Sequence, residues 1–202
     1  MANLKLNNVT ALSETGGVAT FGSQSSTLKY PSGHIVQVLQ TVKTDKESFT
    51  GSNAVNTFTL CPGQGGSGVF QQAITITGSN KVLINAHTTI GAGTNGYGIW
   101  WAILRGTAVD TAMASCTRVA VGTEALSSQG NATHRGRTEN NATAVSTGMT
   151  WLDNPGAGTY YYKIGVDVEG TTTGYVNRTG ADGNAQYYSS VPSSITLMEV
   201  AV

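Results

Sequence analysis

The residues of this chain that are suited to acid-base or nucleophilic chemistry are scattered along its 202 positions. Asp167 and Glu169 form a close carboxylate pair of the kind used in glycoside hydrolysis. Because they occupy alternate positions of one strand, they share its solvent side, which favours a structural pair. No serine lies in a Gly-x-Ser-x-Gly turn leading into a helix. A catalytic triad whose members meet only in space stays open at this level. We expect a protein that is not an enzyme.

Metal and cofactor sites are not indicated either. The three histidines are far apart in sequence, and none has a second histidine or cysteine at metal-ligand spacing. The two cysteines lie on separate segments without a Cys-x-x-Cys grouping, which predicts small buried thiols; a disulfide is not indicated. The glycine-rich run 63–68 lacks the helix and lysine of a phosphate-binding loop. We expect no cofactor and no metal. The residues concerned are His34, His87, His134, Cys61 and Cys116.

Two groups of side chains are better suited to binding than to catalysis. Within the long polar stretch 123–141, His134, Arg135 and Arg137 supply hydrogen-bond donors on a surface with little charge. Tyr187 and Tyr188 supply aromatic rings, which stack on sugars and anchor protein interfaces equally well. We predict both groups to be receptor or glycan contacts. Ordinary surface or core packing is the alternative for each.

The last strand of the chain constrains all the others. Residues 193–202 contain no glycine and carry a single charge, Glu199. A strand that is apolar on both sides belongs inside a sheet, so we expect it in a closed antiparallel sandwich or barrel, beside the first strand of the domain. Its apolar residues are Ile195, Leu197 and Ala201 on one side and Met198, Val200 and Val202 on the other.

An earlier segment, 34–43, has the alternating pattern of a half-buried strand. Val36, Val38 and Val42 share one side, which the pattern predicts to be the buried one. The polar residues on the opposite side are Gln37, Thr41 and Lys43.

Two later strands make more specific predictions. The strand 97–105 contains Trp100 and Trp101, and neighbouring side chains of a strand point to opposite faces. One of the two tryptophans is therefore expected to face a subunit interface or a ligand. The strand 160–168 alternates in the same manner, and we expect its Lys163 and Asp167 side to be wet.

The pattern as a whole predicts an all-β protein. About nine short strands separated by glycine-rich turns, with no helical period, favour a jelly-roll-like antiparallel β-sandwich over residues 33–202. Residues 1–32 have too few apolar groups for a core of their own. They are interpreted as an extended N-terminal arm that adds a strand to another protein, or to its own trimer partners, through Leu4, Leu6 and Val9. A flexible leader is the alternative.

The composition of the chain limits the classes of partner that it can bind. Charged residues make up only 11% of the chain, and 11 basic side chains balance 11 acidic ones, so no net field attracts nucleic acid or an anionic membrane. There is neither a stretch long and apolar enough to span a bilayer nor the apolar run of a signal peptide. We expect a product assembled in a cytoplasm, whose contacts depend on shape and hydrogen bonding.

Several segments resemble the C-terminal β-domain of tail-fibre and other virion-surface proteins of marine tailed bacteriophages, cyanophages especially. They are Pro31-Ser32-Gly33, Val38-Leu39-Gln40-Thr41-Val42-Lys43-Thr44-Asp45, Ser79-Asn80-Lys81-Val82-Leu83-Ile84, Leu104-Arg105-Gly106, Tyr175-Val176-Asn177-Arg178-Thr179-Gly180 and Ser194-Ile195-Thr196-Leu197-Met198-Glu199-Val200. The resemblance covers residues from about 31 to 202. It implies a structural, non-enzymatic protein, often trimeric, that is fixed to the particle through its N-terminal part.

The resemblance leads to a specific expectation, a homotrimeric virion protein whose arm docks onto other capsid or tail proteins. A short tail fibre or a capsid decoration protein fits the chain length better than a long fibre. Trp100, Trp101, Leu197, Met198 and Val200 are the expected subunit interface. A soluble glycan-binding module is the rival class, and a polysaccharide hydrolase is a third that needs a carboxylate pair.

Overall fold

The computed structural model describes residues 30–52, 57–94, 97–120, 136–182 and 190–202, and gives the backbone alone for 2–6, 9–15, 18–21 and 134–135. It divides into two units, Met1–Pro31 and Ser32–Val202. The sequence-based boundary between residues 32 and 33 lies one residue from this division. Tyr187 and Tyr188 lie outside the described residues.

The first unit is a three-stranded antiparallel sheet. Its strands are β1 (Ala2–Leu6), β2 (Val9–Thr15) and β3 (Val18–Phe21), arranged in the order β1-β2-β3. Leu4 is opposite Leu12, and Leu6 is opposite Val9. The side chains of Leu4, Leu6 and Val9 lie outside the described residues, and their attachment role stays a prediction.

The second unit is built from two six-stranded antiparallel sheets, as the sequence predicted for an all-β sandwich. The first sheet contains β6 (Thr59–Leu60), β7 (Gln71–Ile76), β9 (Gly98–Gly106), β10 (Thr117–Val119), β11 (His134–Arg137) and β13 (Gly158–Val168). The second contains β4 (Ile35–Lys43), β5 (Glu47–Thr50), β8 (Lys81–Ala92), β12 (Ala144–Asp153), β14 (Thr173–Val176) and β15 (Ser193–Val200). Among the described residues the only helical segments are two three-residue 3₁₀ turns, Gln64–Gly66 and Met113–Ser115.

Strand β15 is an interior strand of the second sheet. It pairs with β4 on one side and with β8 on the other, and along part of the sheet the order is β4-β15-β8-β12. Ile195 and Leu197 are buried on the side that faces the first sheet. The first and last strands of this unit are therefore neighbours, which confirms the sequence-based prediction.

The main core fills the space between the sheets. Trp101, Tyr162 and Ile84 are among its largest buried side chains, and the Trp101 Nε1–H donates to Thr147 Oγ1 at 2.8 Å. Each fully buried aliphatic side chain contributes about 1.5–3 kcal/mol to the free energy of unfolding. Cys61 also belongs to this core, and burial raises the pKa of its thiol to about 12. Cys116 is partly buried, and the two cysteines are not joined.

A second, smaller apolar cluster lies on the other face of the first sheet. Trp100 packs there with Phe58 and Leu104 and retains 6% of its surface. The expectation that one tryptophan faces a partner is therefore corrected. Trp100, Trp101 and Leu197 are all covered within one chain, which leaves them almost no area to give to another subunit.

The loops that cover this face of the first sheet also bury residues of β13, and the prediction for that strand is wrong. Lys163 and Asp167 were expected on a wet face, but both are fully buried. The Lys163 ammonium donates to the carbonyl oxygens of Val109 and Thr111, and the Asp167 carboxylate accepts from the Ser52 N–H at 2.8 Å. Buried charges persist only when hydrogen-bonded, and loop backbone supplies the partners here.

Candidate interaction surface

Strand β4 has the predicted alternation, but its sides are exchanged. Val38 is 56% exposed and Val42 is 44% exposed, whereas Lys43 on the opposite side is completely buried. The valine side points away from the sandwich, and the polar side points toward the first sheet. The sequence-based expectation that the valines face the core is wrong.

Hydrogen bonds between the sheets account for this exchange. The inward Gln37 amide donates to the carbonyl oxygen of Thr75, and the inward Thr41 hydroxyl donates to the Gln72 amide oxygen at 2.6 Å; both acceptors lie on β7. Strand β4 is thus joined to the first sheet by polar contacts. Its apolar side is left for the outer surface.

Lys43 fixes the end of β4. Its ammonium donates to Asp45 Oδ1 at 2.8 Å and to the carbonyl oxygen of Gly63 at 2.8 Å. Burial alone raises the pKa of Asp45. The Lys43 ammonium and the Gly65 N–H lower it by more, so it lies below its ordinary value. An ammonium in contact with a carboxylate and a carbonyl can be buried without an unpaired donor.

Glu199, on β15, is held in a comparable way at the other end of β4. It is 1% exposed and lies in a pocket of donors, accepting from the Gln37 and Asn80 amides and from the Thr77 N–H and hydroxyl. Burial by itself raises the pKa of Glu199, but the four hydrogen bonds lower it by more, so the pKa lies below its ordinary value. The carboxylate therefore ties β15 to β4 and to the turn before β8.

The outward side chains of four neighbouring strands form a continuous apolar row. In register, Val38 of β4 is opposite Met198 of β15, Met198 is opposite Leu83 of β8, and Leu83 is opposite Leu152 of β12. Val38 and Leu152 are 56% and 49% exposed, and the two central residues are partly exposed. We call these four residues the outer apolar row.

More apolar groups extend the surface around this row. Val200 of β15 is in register with Ile35 of β4 and is partly exposed, while Ile35 is 38% exposed. A contiguous exposed apolar surface of this kind is typical of a protein contact. Met198 and Val200, two of the residues predicted to contact another subunit, both lie in it. Their contact with a partner stays a prediction.

A polar row runs beside the apolar one. Gln40, Thr196, Asn85 and Thr150 occupy successive strands in register, and the Gln40 amide donates to Thr196 Oγ1 at 2.8 Å. Amides and hydroxyls both donate and accept hydrogen bonds. We call these residues the polar ladder. Neither row contains a charged residue, so a matching partner surface combines apolar side chains with uncharged hydrogen-bonding groups.

The predicted receptor residues lie on a different part of the unit. His134, Arg135 and Arg137 belong to β11, which pairs with β9, so that His134 is opposite Trp101 and Arg137 is opposite Gly98. The Arg137 side chain is exposed. The side chains of the first two, like both tyrosines of the predicted site, lie outside the described residues. The receptor role of this group stays a prediction.

The carboxylates singled out in the sequence have structural partners. Glu169 Oε2 accepts from the Gly98 N–H at 2.8 Å, while Asp167 accepts from the Ser52 N–H. Both therefore act as acceptors for backbone groups. Over the described ranges, no group of three or more His, Cys, Asp or Glu side chains is placed to hold a metal ion.

One pair of residues comes together only in the folded chain. Ser146 Oγ on β12 lies 2.8 Å from His87 Nε2 on β8, and both are on the outward side of the second sheet. They are 59 positions apart in sequence. Only the pairing of β8 with β12 could have revealed the contact.

Comparisons with known proteins add little to this geometry. No protein-family model matches the chain, and no curated protein matches it. Similar solved structures include that of the infectious bursal disease virus Gt strain, with a TM-score of 0.38, 10% identity and 96% of this chain covered. They also include that of the Gx strain, with a TM-score of 0.33, 10% identity and 92% covered. This chain spans 43% and 41% of their lengths. At this level of similarity they assign neither a function nor a subunit arrangement. No helix in the described part of the chain is long and apolar enough to cross a membrane.

Proposed function

We propose that the chain is a structural protein of a virion surface, a short tail fibre or capsid decoration protein of a tailed phage, and that it works as a homotrimer. The observation that carries the proposal is the outer apolar row with its surrounding apolar residues. A sheet that aims apolar side chains outward, while burying a lysine and a glutamate inward, is suited to being covered by another protein.

Low charge supports assembly with copies of the same chain. Net charge is zero, and the polar ladder offers groups that both donate and accept, so two copies do not repel each other. The trimer itself comes from the phage resemblance. Closed symmetry of a homo-oligomer would cover the apolar face and end growth of the assembly.

The subunit contact is tested with a double variant, Val38→Asp with Leu152→Asp. Each substitution places a charge at an end of the outer apolar row, so we expect association to weaken by at least about tenfold while the fold is kept. Sedimentation velocity measures the oligomer, and circular dichroism checks the fold. Thr117→Asp is the matched control, because Thr117 is exposed on β10 of the other sheet. A wild-type chain that sediments as a monomer would contradict the trimer.

The virion role is tested by adding the labelled chain to particles that lack it and locating the label by electron microscopy. We expect a regular decoration of tail or head. Deletion of residues 1–30 is expected to abolish attachment and to leave the oligomer intact, because the arm is proposed to bind the particle. Attachment of the shortened chain at wild-type level would refute that role of Leu4, Leu6 and Val9.

A soluble glycan-binding module is the second candidate. The polar ladder favours it, since amides and hydroxyls beside an apolar strip are the groups that bind sugars. A glycan array separates the two functions. Binding by a monomeric chain would favour the module, and the absence of any signal would dismiss it.

A further inference from the structure

The contact between Ser146 and His87 has the geometry of an activated hydroxyl. While His87 Nε2 faces the serine at 2.8 Å, His87 Nδ1 lies 3.2 Å from the carbonyl oxygen of Pro192. A carbonyl oxygen only accepts, so the neutral imidazole carries its hydrogen on Nδ1. Nε2 is then the acceptor, and the serine hydroxyl donates to it. This is the tautomer that a general base needs.

A second hydroxyl supports the serine oxygen. Thr89 Oγ1 lies 2.9 Å from Ser146 Oγ. Because the single hydroxyl hydrogen of Ser146 is directed to the imidazole, the threonine is the donor in this contact. A donor to Ser146 Oγ stabilises the negative charge that develops when the serine loses its proton. Thr89 is buried, which fixes its position beside an exposed serine.

The backbone N–H of the serine points to the edge of β12 that faces away from β8. The Thr89 N–H donates to Ser193 Oγ, and the Thr89 carbonyl accepts from the Asn177 N–H, so both groups are directed away from β12. Ser146 is the register partner of Thr89 and therefore directs its own N–H away from β8. In the described part of the chain β12 pairs with β8 alone, which leaves the N–H groups of Ser146 and Gly148 at the free edge.

The surface next to the imidazole exposes the serine but is covered farther along β8. Gly148 is in register with His87 and places no side chain over the ring. Ser146 is exposed, whereas Thr89 is buried and the backbone of Arg178 and Thr179 lies over Gly91 on the same face. A small group presented by a large molecule is the substrate that such a surface admits.

We propose that Ser146 is a nucleophile that accepts a short acyl group from a carboxylic ester on the surface of a larger molecule. Ser146 Oγ bonds to the ester carbonyl carbon as its proton passes to His87 Nε2. The bond between that carbon and the alcohol oxygen then breaks, and the alcohol leaves with the proton. Water, with His87 as base, hydrolyses the new ester, releases the acid and restores the serine. The Ser146 N–H at the free edge is the donor for the oxyanion.

This activity goes beyond a structural role and is compatible with it. Leu83 of the outer apolar row and Thr89 are six residues apart on β8, a separation of about 20 Å. A subunit or a capsid protein can cover the row while the serine stays accessible. The two proposals therefore fail or succeed in separate experiments.

The test is covalent labelling of the full chain with a fluorophosphonate, followed by peptide mass spectrometry, together with hydrolysis of 4-nitrophenyl acetate. We expect one label, on Ser146. Ser146→Ala and His87→Gln are expected to lower both rates at least about tenfold, because each removes one member of the proposed pair. Ser194→Ala is the control, since Ser194 is in register with His87 on the other neighbouring strand.

The mapping on the wild-type chain decides the outcome even if a variant folds poorly. A label on another residue, or no label at all, overturns the proposal. Equal rates for wild type and His87→Gln, with circular dichroism showing both folded, also overturn it. The oligomeric state measured by sedimentation is unaffected by either result.

Discussion

Both sheets of the sandwich carry apolar side chains on the face that points away from the main core, yet these two outer faces have different surroundings. On the first sheet, Trp100 and Leu104 are covered by Phe58 and neighbouring loop residues of the same chain. On the second, Val38 and Leu152 are about half exposed. An apolar outer face therefore indicates that something covers it, but only the fold tells whether the cover belongs to the same chain.

The two faces also differ in the polar groups that can bind whatever covers them. Over the first sheet, the buried Lys163 ammonium binds the carbonyl oxygens of Val109 and Thr111, so a charge on the strand holds the loop in place. On the second sheet, the outward side carries the uncharged polar ladder. Hydrogen-bonding groups of that kind suit a cover that arrives as a separate molecule.

The largest expected effect is on the covered face. Trp100→Ala should lower the free energy of unfolding by about 3–5 kcal/mol, because it opens a cavity in the second cluster. Val38→Ala, the matched change on the open face, should alter the stability of a dissociated chain by about 0.5 kcal/mol or less. Urea unfolding of both variants at a concentration where wild type is dissociated measures the contrast. Similar losses would mean that the two faces are equally covered.

Much of the fold follows from alternation alone, whereas the direction of a face does not. The terminal strand could be placed between neighbours because Ile195 and Met198 are both apolar on opposite sides. For β4 the same rule put the valines inside. It failed because Gln37 and Thr41 find partners on β7, a long-range pairing that no local pattern contains.

The candidate sites were predictable to a smaller extent. Met198 and Val200 could be identified because an apolar terminal strand is unusual, but Val38 and Leu152 join them only through the register of four strands. The hydroxyl of Ser146 gains its histidine in the same way. Sequence separation hides such contacts, since a sheet brings together residues from distant positions.

A second prediction tests whether Lys163 holds the loop over the first sheet. Lys163→Met keeps the length and apolar stem of the side chain but leaves two carbonyl oxygens without their donor, which should lower the free energy of unfolding by about 1–3 kcal/mol. Hydrogen exchange of the loop around Thr111 should accelerate more than that of the main core. Lys46→Met is the control, because that lysine is exposed, and it should leave the loop unchanged. Uniform acceleration over the whole domain would show that the lysine does not act on the cover in particular.

The third prediction concerns the effect of acid on stability through Glu199, which lies at one end of β4. The pKa of Glu199 in the folded chain is below its ordinary value of 4.5, so the unfolded chain takes up the proton first as pH falls. The Glu199 carboxylate therefore stabilises the fold fully at a pH above its ordinary pKa. This stabilisation is lost as the pH falls through the pKa that Glu199 has in the folded chain. Glu199→Gln, which removes the titrating group, should be less stable at neutral pH by about 1–2 kcal/mol and should lose less stability between about pH 6 and about pH 3. If the free energy of unfolding of the two proteins falls equally with pH, groups other than Glu199 cause the acid sensitivity.

The smallest expected effect on folding is the most informative about the open face. Val38→Thr preserves the branched shape at the edge of the outer apolar row and adds a hydroxyl that water can solvate, so the free energy of unfolding should change by about 0.5 kcal/mol or less. In a subunit contact the same hydroxyl loses its water and association should weaken. Val42→Thr, also exposed on β4 but outside the row, should weaken association less. If both threonine variants weaken association equally, the contact involves the whole outer side of β4 and not the row in particular. If neither variant weakens association, the outward face of the second sheet is exposed to solvent and is not a subunit contact.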